Sequence, residues 1–185
     1  MPRLFTGFEI PADLAFDLSL MRGGLSGARW IEPDDYHITL RFMGDVDHAM
    51  ARDISASLAG IGREPCDITI DGLAAFGGDK PRALIARVQS SPQLVELQGE
   101  QERLLRRLGL APETRKFTPH VTLARLRGTP SIEVAHYLGG RALFPQRKFI
   151  ARRFVLYSSR DSVGGGPYVI EAAYPLGALD IHPSR

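Results

Sequence analysis

Two tetrapeptides, His37-Ile38-Thr39-Leu40 and His120-Val121-Thr122-Leu123, carry one pattern at an offset of 83 residues. An internal repeat constrains a fold more than composition does, because two similar supersecondary units must bury their faces together. From residue 36 the chain reads strand, helix, strand, Gly/Pro turn, strand, and from residue 117 it does so again. The same offset carries the strand at 66–75 onto 149–158, and the Gly77-Gly78 turn close to Gly164-Gly165-Gly166. No linker or low-complexity stretch interrupts the chain. The expectation is one bilobal domain over residues 1–185, with repeats at 36–88 and 117–175. Antiparallel-looking strands with segregated helices predict an α+β fold rather than a doubly wound parallel sheet.

The remaining elements follow from local signals. Residues 3–9 read as a strand. Pro11 opens a helix with Leu14, Leu18 and Met21 on one face, and Gly23-Gly24 ends it. Residues 36–43 alternate as a strand, and Asp47 caps a helix running to about Gly60. Strands follow at 66–75 and 82–88. Ser91-Pro92 starts the strongest helix, with Leu94, Leu97, Leu104, Leu105 and Leu108 inward and Gly109 as its stop. A strand at 117–125, a helix near 131–138, and strands near 147–157 and 167–175 complete the series.

Side chains alternate along a strand, so His37 and Thr39 share one face while Ile38 and Leu40 share the other. The same holds for His120 and Thr122. Each motif strand therefore presents an imidazole beside a hydroxyl, backed by two apolar anchors.

Most chemistries are poorly served by this set. A zinc site needs three or four ligands of His, Cys or carboxylate type, and no metal-ligand spacing is present. The single cysteine, Cys66, leaves no disulfide framework. Neither a Gly-x-Ser-x-Gly elbow, nor a phosphate-binding Walker loop, nor a dinucleotide fingerprint occurs. General acid–base catalysis fits. Imidazole titrates near neutrality, so one ring can be neutral while the other is protonated. Without a metal or other cofactor, such a pair suits in-line displacement at a phosphodiester: one His takes a proton from water and the other gives one to the leaving oxygen. Thr39 and Thr122 can donate to the non-bridging oxygens.

Charge adds little on its own. Lys plus Arg is 23 against 21 for Asp plus Glu, a net +2, although only three of the 23 are Lys. Arg141, Arg147, Lys148, Arg152 and Arg153 fall in an acid-free stretch, which reads either as a solvated face or as a phosphate-tracking strip. No apolar run is long enough for a membrane span, and the opening MPRLFTGFEI lacks the form of a secretion signal. A cytoplasmic protein is expected, acting as a monomer without a membrane partner.

HITLRFMG at 37–44, preceded by Arg29-Trp30, together with FTPHVTLAR at 117–125, resembles the bacterial and archaeal RNA 2′,3′-cyclic phosphodiesterases. These were first described as 2′-5′ RNA ligases and belong to the two-histidine phosphoesterase superfamily. The resemblance extends to LFTGFEIP, the Gly72–Phe76 strand, LLRRLGL, FVLYSSR at 154–160 and GPYVIEAAYPL at 166–176. Met43 stands where Leu is usual, a volume-conserving change. The resemblance implies a bilobal fold with two antiparallel sheets facing a central cleft and helices outside, one His-x-Thr motif coming from each lobe. It implies hydrolysis of a terminal 2′,3′-cyclic phosphate to a 2′-phosphomonoester, on RNA ends such as tRNA fragments or on cyclic nucleotides. His37 and His120 match the catalytic pair, Thr39 and Thr122 the phosphate-holding pair, Arg125 a phosphate-reaching arginine, and Phe42 an aromatic that stacks on the terminal base. The alternatives are 2′-5′ RNA ligation, action on a small cyclic nucleotide, and an RNA- or nucleotide-binding module without chemistry.

Two expectations are exposed to direct contradiction. Phe42 and Arg125 have the opposite parity to the histidines, so a regular strand would turn them away from the site; a bulge, twist or strand end must intervene. The acid and base roles also rest on neighbours in the chain. Asp34 and Asp35 precede His37, whereas Lys116, Arg125 and Arg127 surround His120. Carboxylates raise an imidazole pKa and cations lower it, which makes His37 the proton donor and His120 the acceptor.

Overall fold

Strand β1 (Arg3–Glu9) leads through helix α1 (Ala12–Ser19) and a short strand β2 (Ala28–Trp30) to the first motif strand, β3 (His37–Asp45). Helix α2 (His48–Leu58) and strands β4 (Cys66–Phe76) and β5 (Ala83–Val88) follow. Helix α3 (Pro92–Arg107) precedes the second motif strand, β6 (His120–Leu126). The chain then forms α4 (Ser131–Gly139), β7 (Arg147–Ala151), β8 (Arg153–Ser159) and β9 (Tyr168–Pro175). The computed structural model describes residues 1–159 and 166–177; Gly164, Gly165 and Arg160, named above, lie outside them.

The helices start and pack as their sequences dictate. Asp47 accepts the Met50 amide at 2.7 Å, and Ser91 accepts that of Leu94 at 3.2 Å. Leu94, Leu97, Leu104 and Leu105 of α3 are buried. So is Gln101, whose Oε1 accepts the buried Thr6 hydroxyl at 2.5 Å and so ties α3 to β1.

All strands pair antiparallel, in the order β7-β4-β5-β6-β3-β1-β8-β9, with β2 added against β6. Read in space, two runs of five elements match: β1-α1-β3-α2-β4 and β5-α3-β6-α4-β8. The last strand of each run crosses to the other half. β4 pairs with β5, and β8 pairs with β1. The matching runs begin at β1, one strand and one helix before the first motif. The stretch expected as a single strand over 147–157 is two, broken at Arg152, so that β7 joins β4 while β8 joins β1.

The two motif strands meet at one residue pair, Ile38 opposite Val121. Beyond it β3 and β6 diverge, and β2 takes the place beside β6 that β3 leaves. One apolar core, reaching from Phe8 and Ile38 to Val121 and Phe154, underlies both halves. Strand β6 begins at His120 rather than at 117, because Pro119 has no amide to donate to a ladder.

Candidate active site

The single Ile38–Val121 pair organises the cleft. Both side chains are fully buried, so their neighbours along each strand turn to the opposite face. In antiparallel register His37 then lies across from Thr122, and Thr39 across from His120. Opposed side chains stand about 5 Å apart at Cβ and diagonal ones about 7–8 Å. Two imidazoles on one diagonal and two hydroxyls on the other thus surround one point, related by a local two-fold axis.

Each imidazole is oriented alike. His37 Nδ1 lies 2.9 Å from the carbonyl of Asp35, and His120 Nδ1 lies 2.7 Å from that of Thr118. A carbonyl only accepts, so Nδ1 carries a proton in both rings, and Nε2 is left as the working nitrogen. His37 Nε2 lies 3.0 Å from the Thr39 hydroxyl. Gly7 pairs with Thr39 across β1, where the β3 backbone approaches closely. A Cβ at Gly7 would stand 2.5 Å from the Ile38 carbonyl oxygen, so no larger residue fits there without moving β3.

Strand irregularities answer the parity problem. In β3, Gly7 pairs with Thr39 but Thr6 pairs with Arg41, so Leu40 is bulged. Leu40 and Arg41 are both buried, and Phe42 emerges at 40% exposure on the side of His37 and Thr39. In β6, Ile85 pairs with Thr122 but Leu84 pairs with Ala124, so Leu123 is bulged. Leu123 and Ala124 are both buried and Arg125 emerges on the side of His120 and Thr122, within reach of the His120 ring electrostatically. The two bulges sit at equivalent points of the repeat, so Phe42 and Arg125 are equivalent positions with different chemistry. In β3 the extra buried residue is a cation. Arg41 donates to the Glu102 carboxylate and to the Phe42 carbonyl, and its Nη2 donates to the Ala111 carbonyl at 2.7 Å. Glu102 in turn accepts the Glu113 amide at 3.1 Å. One buried ion pair therefore holds both the β3 bulge and the loop that leads to His120.

The two walls differ. Around His37 stand Phe5, Tyr168 and Tyr157, with ring centroids at 4.9, 5.0 and 5.5 Å. Phe42 pairs with Phe5, and Phe5 with Tyr157, in one row across three strands. The opposite wall carries Arg87, paired with His120, and Arg29, paired with Arg125. Phe76 lies edge-on to His120 at 4.8 Å. The sequence reading did not mark Arg41, Arg87, Tyr157 or Tyr168, because nothing in their own neighbourhoods announces the cleft.

Burial dominates the titration of both histidines. His37 is pushed down to about 4, chiefly by desolvation, with further lowering from the charges of His120 and Arg125 and only the Asp35 carbonyl opposing. His120 is lowered by desolvation and by Arg125. The neighbour argument for the two roles therefore loses its basis. The Asp35 carboxylate is turned away and accepts the Tyr168 amide at 3.1 Å, and Arg125 depresses both rings. In the basic stretch at 141–153, three of the five cations are engaged within the molecule. Arg147 pairs with Asp13 and Asp17, Arg153 with Glu9 at 2.7 Å, and Arg141 stacks on Tyr137. Among the described residues, no three His, Cys, Asp or Glu side chains converge as a metal site would require, and no helix is long and apolar enough to cross a membrane.

The chain is similar to known proteins throughout this architecture. The model of the family described as LigT like Phosphoesterase matches twice in succession, over residues 8–86 and 87–168. An RNA 2′,3′-cyclic phosphodiesterase of Aeropyrum pernix is 39% identical over 104 residues, 55% of this chain and 59% of that protein. One from Bacillus subtilis is 32% identical over 67% of this chain and 71% of that protein, and one from Thermotoga maritima 29% over 82% and 80%. The matched segment thus spans little more than half of the Aeropyrum relative. Among solved structures, TT0787 of Thermus thermophilus superposes with a TM-score of 0.78 at 19% identity, covering 94% of this chain and 97% of that one. E. coli LigT complexed with 3′-AMP superposes with 0.76 at 21% identity, over 96% and 100%. With the family model matched on both sides of the repeat and the same fold in these structures, the chain belongs to the LigT-like phosphoesterases.

Proposed function

We propose that this protein is an RNA 2′,3′-cyclic phosphodiesterase, a cytoplasmic monomer that opens a terminal 2′,3′-cyclic phosphate to a 2′-phosphomonoester without a metal. The observation that carries this reading is the diagonal pair of Nε2-presenting imidazoles about the Ile38–Val121 contact. Curated relatives of that name support the substrate class. RNA ends, tRNA fragments among them, and nucleoside cyclic phosphates are the ligands it would take.

Water attacks phosphorus in line with the bond to O3′. As the new P–O bond forms, His120 Nε2 takes a proton from the water; as the P–O3′ bond breaks, His37 Nε2 gives one to the departing oxygen. The pair returns to its starting state by exchanging one proton with solvent. Thr39 and Thr122 donate to the non-bridging oxygens, and Arg125 offsets the charge that gathers there. Phe42 offers its exposed ring to the terminal base.

In the free protein burial favours the neutral form of both rings, so the order of roles is set in the complex. The pull of a phosphodiester anion on a proton grows as the local dielectric falls. His37, the deeper ring with three aromatic neighbours, gains most from it, which supports His37 as donor and His120 as acceptor. The test is turnover of an RNA ending in a 2′,3′-cyclic phosphate in excess chelator, with the product mapped. A 2′-phosphate is expected. Activity that vanishes in EDTA and returns with one particular metal would overturn the acid–base reading.

A further inference from the structure

The cleft has unlike walls, and the difference predicts how a nucleic acid lies in it. One wall carries Phe5, Phe42, Tyr157 and Tyr168 around His37. The other carries Arg87 and Phe76 against His120, with Arg125 and its ladder partner Arg29 further along β6. Arg87 is tied to β4 through Asp71, with Nε 3.3 Å from Oδ1. Arg29 and Arg125 are directly opposed in the β2–β6 ladder, and both are exposed. Opposed residues share a face with Cβ atoms about 5 Å apart, so both arginine side chains rise from the same face of the β2–β6 ladder at one end of the cleft.

Strand β2 is held rigidly enough to aim Arg29. The Arg127 amide donates to the Gly27 carbonyl at 3.0 Å, and the Ile31 amide to that of Leu123 at 2.9 Å, bracketing the strand. At Gly27 φ is +68°, and any Cβ would overlap the Arg127 carbonyl, so glycine alone allows this approach. Trp30, on the other face of β2, packs into the core.

We propose that Arg29 and Arg125 together form a second phosphate subsite, which takes the internucleotide phosphodiester immediately 5′ to the terminal nucleotide. This rests on the reading of the site given above. A cyclic phosphate ends the RNA at its 3′ side, so the chain continues only through O5′ of the terminal ribose. With the terminal base on the aromatic wall, that continuation leaves over the cationic wall. Paired guanidinium forks suit a phosphodiester better than a single charge does. The preferred substrate is therefore an RNA end of two or more nucleotides rather than a nucleoside cyclic phosphate.

The experiment compares a nucleoside 2′,3′-cyclic phosphate with a dinucleotide carrying the same end, for the native protein and for Arg29→Ala and Arg29→Lys. The native protein should show the lower KM for the dinucleotide. Arg29→Ala should raise that KM about tenfold at unchanged kcat, with Arg29→Lys recovering part of the loss, while the nucleoside KM moves less than about twofold. A neutral methylphosphonate linkage should reproduce the loss in the native protein, and the salt dependence of dinucleotide binding should weaken by about one charge. Equal KM values for the two substrates in the native protein, or equal losses on both in Arg29→Ala, would overturn the subsite while leaving the activity standing. Turnover of neither substrate by the native protein would overturn the activity and the subsite together.

Discussion

Ile38 and Val121 face each other as the one point where β3 and β6 pair, and each is fully buried. The contact acts as an axle. Because both side chains point into the core, the residues before and after each are forced to the cleft face, and the register sets them in two opposed pairs. An extended ladder here would close the cleft, whereas a single pair fixes the centre and lets the walls diverge above it.

The first prediction concerns the two histidines beside that axle. His37→Ala and His120→Ala should each lower kcat by at least about 100-fold, while KM changes little, since each removes proton transfer and leaves the walls intact. Steady-state kinetics on a cyclic-phosphate-terminated RNA measures this. Near-native turnover in either variant means that the pair is not the catalytic machinery.

A second prediction follows from the Arg41–Glu102 pair. Arg41→Met strands the Glu102 carboxylate beneath the sheet and releases both the β3 bulge and the Ala111 loop. Removing one partner of a buried ion pair costs about 3–5 kcal/mol, and the partial exposure of Glu102 places this case near the lower end. The midpoint of urea unfolding should fall accordingly. The double variant Arg41→Met/Glu102→Leu should recover part of the loss, because no charge is then left uncompensated. If the double variant is no more stable than the single one, the pair is not the source of the effect.

These two cases mark what could be read from the chain and what could not. The doubled motif made the site legible, since a His-x-Thr pattern on a strand fixes which side chains share a face wherever the strand lies. Helix starts were legible too, because Asp47 and Ser91 cap by contacts within three residues. The bulges at Leu40 and Leu123 were anticipated only as a need. Their location depends on cross-strand register and on Arg41 finding Glu102 61 positions away. The exchange of β4 and β8 between halves was hidden for the same reason, as pairing partners far apart in sequence leave no local signal. The aspartates beside His37 do not support the role assignment, because a carboxylate nearby in sequence can accept another strand's amide, as Asp35 does from Tyr168.

The third prediction is a pH dependence of stability. His37 is held near 4 in the folded protein against an ordinary 6.5, so the unfolded chain binds more protons between those values. Stability must then rise with pH through that window and fall as the solution is acidified from about 6.5 towards 4. A shift of this size corresponds to at most about 3 kcal/mol. Urea unfolding between pH 4 and pH 7 should show the slope, and His37→Gln should flatten much of it. An equally steep slope in the variant would place the pH dependence elsewhere.

The last prediction decides the roles. The donor is needed only because O3′ is a poor leaving group, so a substrate with sulfur bridging phosphorus to C3′ should make the donor dispensable. A thiolate departs without a proton, whereas the attacking water still needs its base. If His37 is the donor, His37→Ala should regain most of its lost turnover on the 3′-thio substrate, and His120→Ala should remain as impaired as on the natural one. The contrast holds at fixed pH and does not depend on which ring titrates lower in the free protein, where burial depresses both. Thr39→Val supplies a control, since its loss acts on the non-bridging oxygens and should be similar for the two substrates. Rescue of His120→Ala in place of His37→Ala would reverse the roles. Rescue of neither would mean that proton delivery to O3′ does not limit the reaction at all.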